Sequence, residues 1–506
     1  MLHVPFAFAS YDENAATLFG ARDRFGQKPI VYGHNVGGFV FATHTAALLA
    51  WHGMSRSVDL DVLAHYLSFG FALADKSLLL DAVNLPPGHW LLLDRHGETR
   101  TQRYWRLAPV DQATARGSRA DLEHEFRQRL QDAVSRNIIA EKRVGLLHGA
   151  DLTSAILARI LATDGSSSPE TFAVCFDTRC DLGLKETPPL GGSHHELVID
   201  ERDISAGLAP LTLASGVPLT GLSTFVSAAV ARGASAHAGT IFAAMAGDEI
   251  ALAHPRYRQF GASLAEWRAA GSALPSAPFA RDLYHHVAGM MSEDERAGIV
   301  GPGMAHTLIF SPVDELGASL ETAGDDDAMD LAARIDVANL PARFVGANAA
   351  FAANDASLIL PFADHEFADW CASLPQHLRS ARLYRGIDHP GLLQTSFPEV
   401  EAPPRAPASQ DEGATLNAWL ATGLSEFMCD TFASTTFRSR GLFSIGAIEG
   451  MLKSHVGSKR QHGRWLWSLL CIEAWFANVV DMPWPDSKQA RPAMQPALTD
   501  PIPEMA

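Results

Sequence analysis

The stretch that most constrains this 506-residue chain is Gly145–Ala158, GLLHGADLTSAILA. It reads as a short apolar strand, a turn of small residues and then a helix. Further strands of the same kind are expected at TFAVCF (171–176), HHELVI (194–199) and GTIFAAM (239–245). Strands that alternate with helical segments predict an α/β fold with a parallel, doubly wound sheet. The turn also carries chemical meaning. Unpaired backbone N–H groups at the start of a helix point at any anion seated there. Here that turn keeps one glycine, Gly149.

The rest of the chain sorts around this unit. Residues 1–107 are rich in strands, with a hairpin turning at Arg95–Glu98 and a short helix over Asp61–Phe69. Residues 108–118 are polar and irregular and read as a linker. A helix over Ala120–Asn137 carries Leu122, Phe126, Leu130 and Val134 four apart, one stripe for a core. Residues 260–480 read as mostly helical, interrupted at Pro275–Pro278, Gly324–Asp327 and Glu401–Gly413. The organisation expected is 1–107, a linker at 108–118, a large domain over 119–482, and a disordered proline-containing tail at 483–506.

Composition excludes several functions. With 40 Lys plus Arg against 57 Asp plus Glu, the net charge is −17, which argues against nucleic-acid binding or an acidic membrane surface through bulk charge. No apolar run reaches the ~20 residues a membrane helix needs. Five scattered cysteines, Cys175, Cys180, Cys371, Cys429 and Cys471, have no zinc or disulfide spacing. A cytoplasmic protein is expected. No lysine stands between Lys185 and Lys453, so no lysine there can serve as a catalytic cation.

Ordered segments then point to a family. ARDRFGQKPIVYG (21–33), FVFATHTAALL, LAHYLSFGF, NLPPGHWLLLD and RYWRL occur in sequence, followed later by LPFADHEFADWCASLP (360–375) and GLFSIGAIEGML with WLWSLLCIEAW (441–475). Over nearly its whole length the chain resembles the glutamine-hydrolysing asparagine synthetase family. The resemblance implies a partial antiparallel, glutaminase-like (α+β) domain before a pyrophosphatase-type parallel sheet with a helical C-terminal half. It also implies ATP and magnesium, adenylation of aspartate or another small-molecule carboxylate, and then amide formation. A homodimer or a partner chain is left open.

The chain departs from the family at its sites. Family glutaminases carry a cysteine nucleophile after the initiator methionine; here position 2 is Leu2, and FAFASYD (6–12) corresponds to a segment about halfway through that domain. No glutaminase activity is expected of residues 1–107; either the protein is shortened, or its start lies further upstream, where an in-frame Met-Cys would restore the glutaminase. The family's SGGLDSS turn aligns with Gly149, Ala150, Asp151, Leu152, Thr153, Ser154 and Ala155. Thr153 then replaces the metal-facing acid, and Ala150 and Asp151 replace glycines; sliding the frame places Asp151 on the acid but puts His148 and Leu152 at glycine and serine positions, and neither frame restores the motif. AAMAGDEIALAHPRY (243–257) resembles SGEGADELFGGYPRY, retaining Asp248, Glu249, Pro255, Arg256 and Tyr257 but carrying Met245 and Ala243 for the first acid and the serine. Asp248 and Glu249 are the candidate magnesium ligands, since hard cations prefer oxygen; the same pair could instead cap the next helix. Arg382 is the cation nearest the family's catalytic lysine, and a guanidinium does not replace a tunable ammonium.

Other candidates are weaker. His194, His195 and Glu196 alternate faces on a strand, which argues against a metal site built from that run. Trp465, Trp467 and Trp475 read as helix-packing residues, and Asp325–Asp327 as a solvated loop. Two functions follow: an ATP-dependent amide-forming ligase without glutaminase, or a catalytically inactive relative (a pseudoenzyme) that serves as a binding or scaffold partner.

Overall fold

The computed structural model describes residues 3–35, 37–138, 143–149, 151–164, 169–176, 193–269, 277–309, 311–318, 328–384, 387–401, 412–457 and 460–483. Ala150, Cys180, Asp325–Asp327 and the tail from 484 on lie outside them.

Two antiparallel sheets open the chain. One runs in the order β1 (Ala7–Asp12), β2 (Thr17–Arg22), β6 (His89–Leu93), β7 (Thr99–Arg103). The other sets β3 (Val31–Asn35) between β4 (Gly38–Ala42) and β5 (Ala82–Asn84). The β6–β7 hairpin turns where expected, closed by Asp94 accepting from the amides of His96 and Glu98. The expected helix covers Leu60–Phe69, capped by Asp59 and stopped by Gly70 at φ +81°, where a left-handed backbone favours glycine.

The segment ARDRFGQKP folds into the dock for the rest of the chain. Buried Asp23 accepts hydrogen bonds from the amides of Phe25, Gln27 and Lys28 at 3.2, 2.9 and 2.8 Å. Arg22 donates to the carbonyls of Lys28, Gly26 and Leu85. Burial pushes its guanidinium down to about 10. Gln27 then donates to the carbonyl of Ala363 and accepts from Asn348, and Lys28 donates to the Asn348 amide oxygen. Trp105 and the amide of Ala108 both donate to Asp369. Residues 108–118 are irregular apart from a single 3-10 turn, Thr114–Arg116.

The parallel sheet is present. Its order is β10 (His194–Val198), β9 (Glu170–Cys175), β8 (Val144–Leu147), β11 (Thr240–Phe242), β12 (Ser357–Ile359), every pair parallel. The order reverses between β8 and β11. Leu122, Phe126, Leu130 and Val134 of the Arg119–Ser135 helix are all buried, in one cluster with Leu146, Phe242 and Phe367. A second cluster joins Leu63 and Leu67 of the first part to Leu219, Trp419, Leu466, Trp467 and Trp475. The C-terminal half is helical, and Trp467 and Trp475 pack in it as expected.

One strand is shorter than its sequence suggests. β11 stops at Phe242, because the chain turns out of the sheet through Ala246 at φ +71° and starts the helix Gly247–Ile250.

Candidate functional site

In an open α/β sheet, ligands bind outside the carboxyl ends of the strands, where the strand order reverses. Both candidate motifs arrive there. His148 and Gly149 leave the end of β8, and residues 243–249 leave the end of β11, its neighbour. Gly149, Asp151, Thr153 and Ser154 are therefore gathered with Asp248 and Glu249.

The turn is filled by its own side chains. Asp151 is the cap of the Leu152–Asp164 helix: its Oδ1 accepts from the amide of Ser154 at 2.7 Å and from Thr153 Oγ1 at 2.6 Å. Ser154 Oγ donates back to the carbonyl of Gly149 at 2.8 Å. A methyl group at Gly149 would lie 2.3 Å from Asp151 Oδ2, so that glycine makes room for the carboxylate. A carboxylate thus sits on the helix start that would otherwise receive phosphate, satisfying an amide and neutralising the dipole.

His148 lies beneath the turn and is buried. Its Nδ1 is 2.9 Å from the carbonyl of Gly149. A carbonyl only accepts, so Nδ1 carries the proton, and the buried Nε2 has a lone pair that meets no donor among the described residues. Burial holds the imidazole below its usual range, favouring this neutral form.

The two acids after β11 part company. Glu249 is buried, and its Oε1 accepts from Arg256 at 2.9 Å and from Arg343. Arg256 also pairs with buried Asp336 at 3.2 Å, which accepts from Tyr257 and Tyr284 at 2.5 and 2.7 Å. Burial opposes the Glu249 charge, but Arg343 and Arg256 outweigh it and hold the carboxyl below its usual range. Asp248 accepts no side-chain hydrogen bond among the described residues. Burial, then the neighbouring charges of Glu249 and Asp151, push it up to about 7. Asp151 and Asp248 therefore repel each other across the reversal point.

Backbone strain marks the same turn. Ala246 takes the left-handed conformation that a family glycine would take in SGEGADE, while Gly247 lies where a methyl group would come within 2.9 Å of the Phe362 ring. Arg382 begins a short antiparallel pair, β13 (Arg382–Tyr384) with β14 (Ile387–His389), and nothing of its side chain is described. Sequence reasoning did not foresee Arg343 or Asp336. Their signal was the lack of lysine, which leaves arginine to balance any buried acid here.

The family model for asparagine synthase matches residues 125–477, and that for a glutamine amidotransferase domain matches residues 1–105. The chain belongs to the asparagine synthase family. It is 24% identical to a putative glutamine-hydrolysing asparagine synthetase of Mycobacterium tuberculosis over 94% of this chain and 76% of that protein. It is 26% identical to glutamine-hydrolysing asparagine synthetase 3 of Bacillus subtilis over 42% of this chain and 37% of that protein. Amidase chry2 of Gibberella zeae is 25% identical over 48% of this chain and 38% of its own length. This family's architecture accounts for the antiparallel first part and the parallel sheet behind it. Among the described residues, no helix is long and apolar enough to cross a membrane.

Proposed function

We propose that this asparagine synthase-family chain does not ligate with ATP and serves as a binding partner built on the synthase scaffold. One observation carries the reading: Asp151 occupies the helix start that a pyrophosphate would need. Three further features support it. Glu249 is locked between Arg256 and Arg343 and is not available to a metal. The cations near the site are already committed to acids, and no lysine stands between Lys185 and Lys453. Residues 1–105, which match the amidotransferase domain, contain no cysteine. The residues present therefore do not fit a magnesium–triphosphate pair, and no adenylation step is assigned.

A second reading rests on a specific feature. The Asp248 carboxylate has no hydrogen bond among the described residues and feels the charge of Asp151, and a divalent cation between two such carboxylates would relieve their repulsion. Under that reading the chain is an ATP-dependent ligase for a small-molecule carboxylate. Calorimetric titration with Mg·ATP, paired with carboxylate-dependent ATP–pyrophosphate exchange, separates the two. A folded chain without binding or exchange is expected; exchange above background would establish the ligase.

A further inference from the structure

We propose that Glu170, His195 and His237 bind a transition-metal ion of the zinc type, at the end of the sheet opposite the reversal point. One ligand atom from each residue lies within 4.8 Å of the others. The topology explains why. Strand side chains alternate, so Glu170 and Phe172 of β9 share one face, and the register sets His195 of β10 beside Phe172. His194 therefore points to the other face, where it meets the Thr171 hydroxyl. The helix Ser223–Ala234 packs on β9 and β10, and the turn after it delivers His237 to the same edge. Three separate elements thus converge on one point near the N-terminal ends of the strands.

The geometry suits an ion. His195 Nε2 and Glu170 Oε2 are 2.8 Å apart, at hydrogen-bond distance. The His195 ring is oriented by stacking on fully buried Phe172, with centroids 4.8 Å apart and planes 13° apart. The His237 ring lies 4.4 Å from that of His195. A tetrahedral ion with bonds of ~2.0–2.2 Å holds its ligands roughly 3.4 Å apart, so small side-chain rotations open this cluster to the required spacing. Two imidazoles and one carboxylate select a zinc-type ion over magnesium or calcium, which take oxygen ligands. The side chains keep partial exposure, so water supplies the fourth ligand. The ion would pin β9, β10 and the turn at His237 together, independently of any nucleotide chemistry.

The full chain, stripped with a chelator, would be titrated with Co2+ and with Zn2+ against a chromophoric competitor. One equivalent per chain and tetrahedral Co2+ absorption bands are expected. His195→Ala and His237→Ala should each weaken binding by more than the ~10–100-fold that partners outside the coordination shell contribute. His194→Ala, on the opposite face, should leave it unchanged. Circular dichroism of the metal-free variants guards against unfolding, and His237→Ala alters only a turn residue. No stoichiometric binding by the parent chain, or binding that survives both His195→Ala and His237→Ala, overturns the site.

Discussion

Replacing Asp151 by glycine tests the closed turn most directly. In the folded chain, Asp151 Oδ1 holds the amide of Ser154 at 2.7 Å and the hydroxyl of Thr153 at 2.6 Å. Losing an aspartate cap to alanine costs about 1 kcal/mol, but to glycine only a few tenths. Asp151→Gly should therefore stay folded, with its Tm within about 2 °C of the parent chain, given ~2–4 °C per kcal/mol in large domains. The gain lies in the vacated helix start. A carboxylate about 5 Å from a phosphate oxygen opposes it by roughly 3 kcal/mol at an effective dielectric constant of ~20. Even half of that is about tenfold in affinity. Calorimetry with inorganic pyrophosphate and with Mg·ATP should show Asp151→Gly binding at least about tenfold more tightly than the parent. The reasoning is refuted if the parent chain already binds Mg·ATP and the glycine variant binds it no better.

Asp248 has its folded pKa raised to about 7 from the 3.8 of an unperturbed aspartate, so its ionisation opposes folding. That contribution is absent below pH ~3.8, grows as pH rises to ~7 and is then constant; Asp248→Asn should be more stable than the parent at pH 8 by up to about 4 kcal/mol, with the difference vanishing near pH 4 in denaturant titrations. Glu249→Gln leaves Arg256 and Arg343 without their shared carboxylate and should cost ~3–5 kcal/mol, measured by urea unfolding; a cost under ~1 kcal/mol would show that the buried pairs are not formed. Ala246→Gly relieves a left-handed alanine and should raise stability by about 1 kcal/mol, whereas Ala246→Val should lower it, both read by thermal melts. Trp105→Phe removes the hydrogen bond to Asp369 and should cost roughly 1–2 kcal/mol, with faster proteolysis in residues 108–118 as the visible sign.

Much of the fold was legible because periodicity is a local property. The Leu122, Phe126, Leu130 and Val134 stripe, the β8 strand and its following helix, and the hairpin at residues 94–98 all follow from neighbours in the chain. The two motifs of the candidate site were legible for the same reason, since each occupies a few consecutive residues. Their meeting was not, because it depends on β11 pairing with β8 across about 95 intervening residues.

Sequence alone determined the family, the parallel sheet and the loss of glycine from the phosphate turn. Tertiary structure alone decided what the remaining charges do. Asp248 and Glu249 are adjacent in sequence, but one is left repelling Asp151 while the other is held by Arg256 and Arg343. The same holds for His195, whose neighbour His194 faces away while Glu170 and His237 come to it from other elements. Side-chain chemistry is written in the chain, but the strength of a charge or a ligand depends on its burial and on partners that only folding brings within a few ångströms.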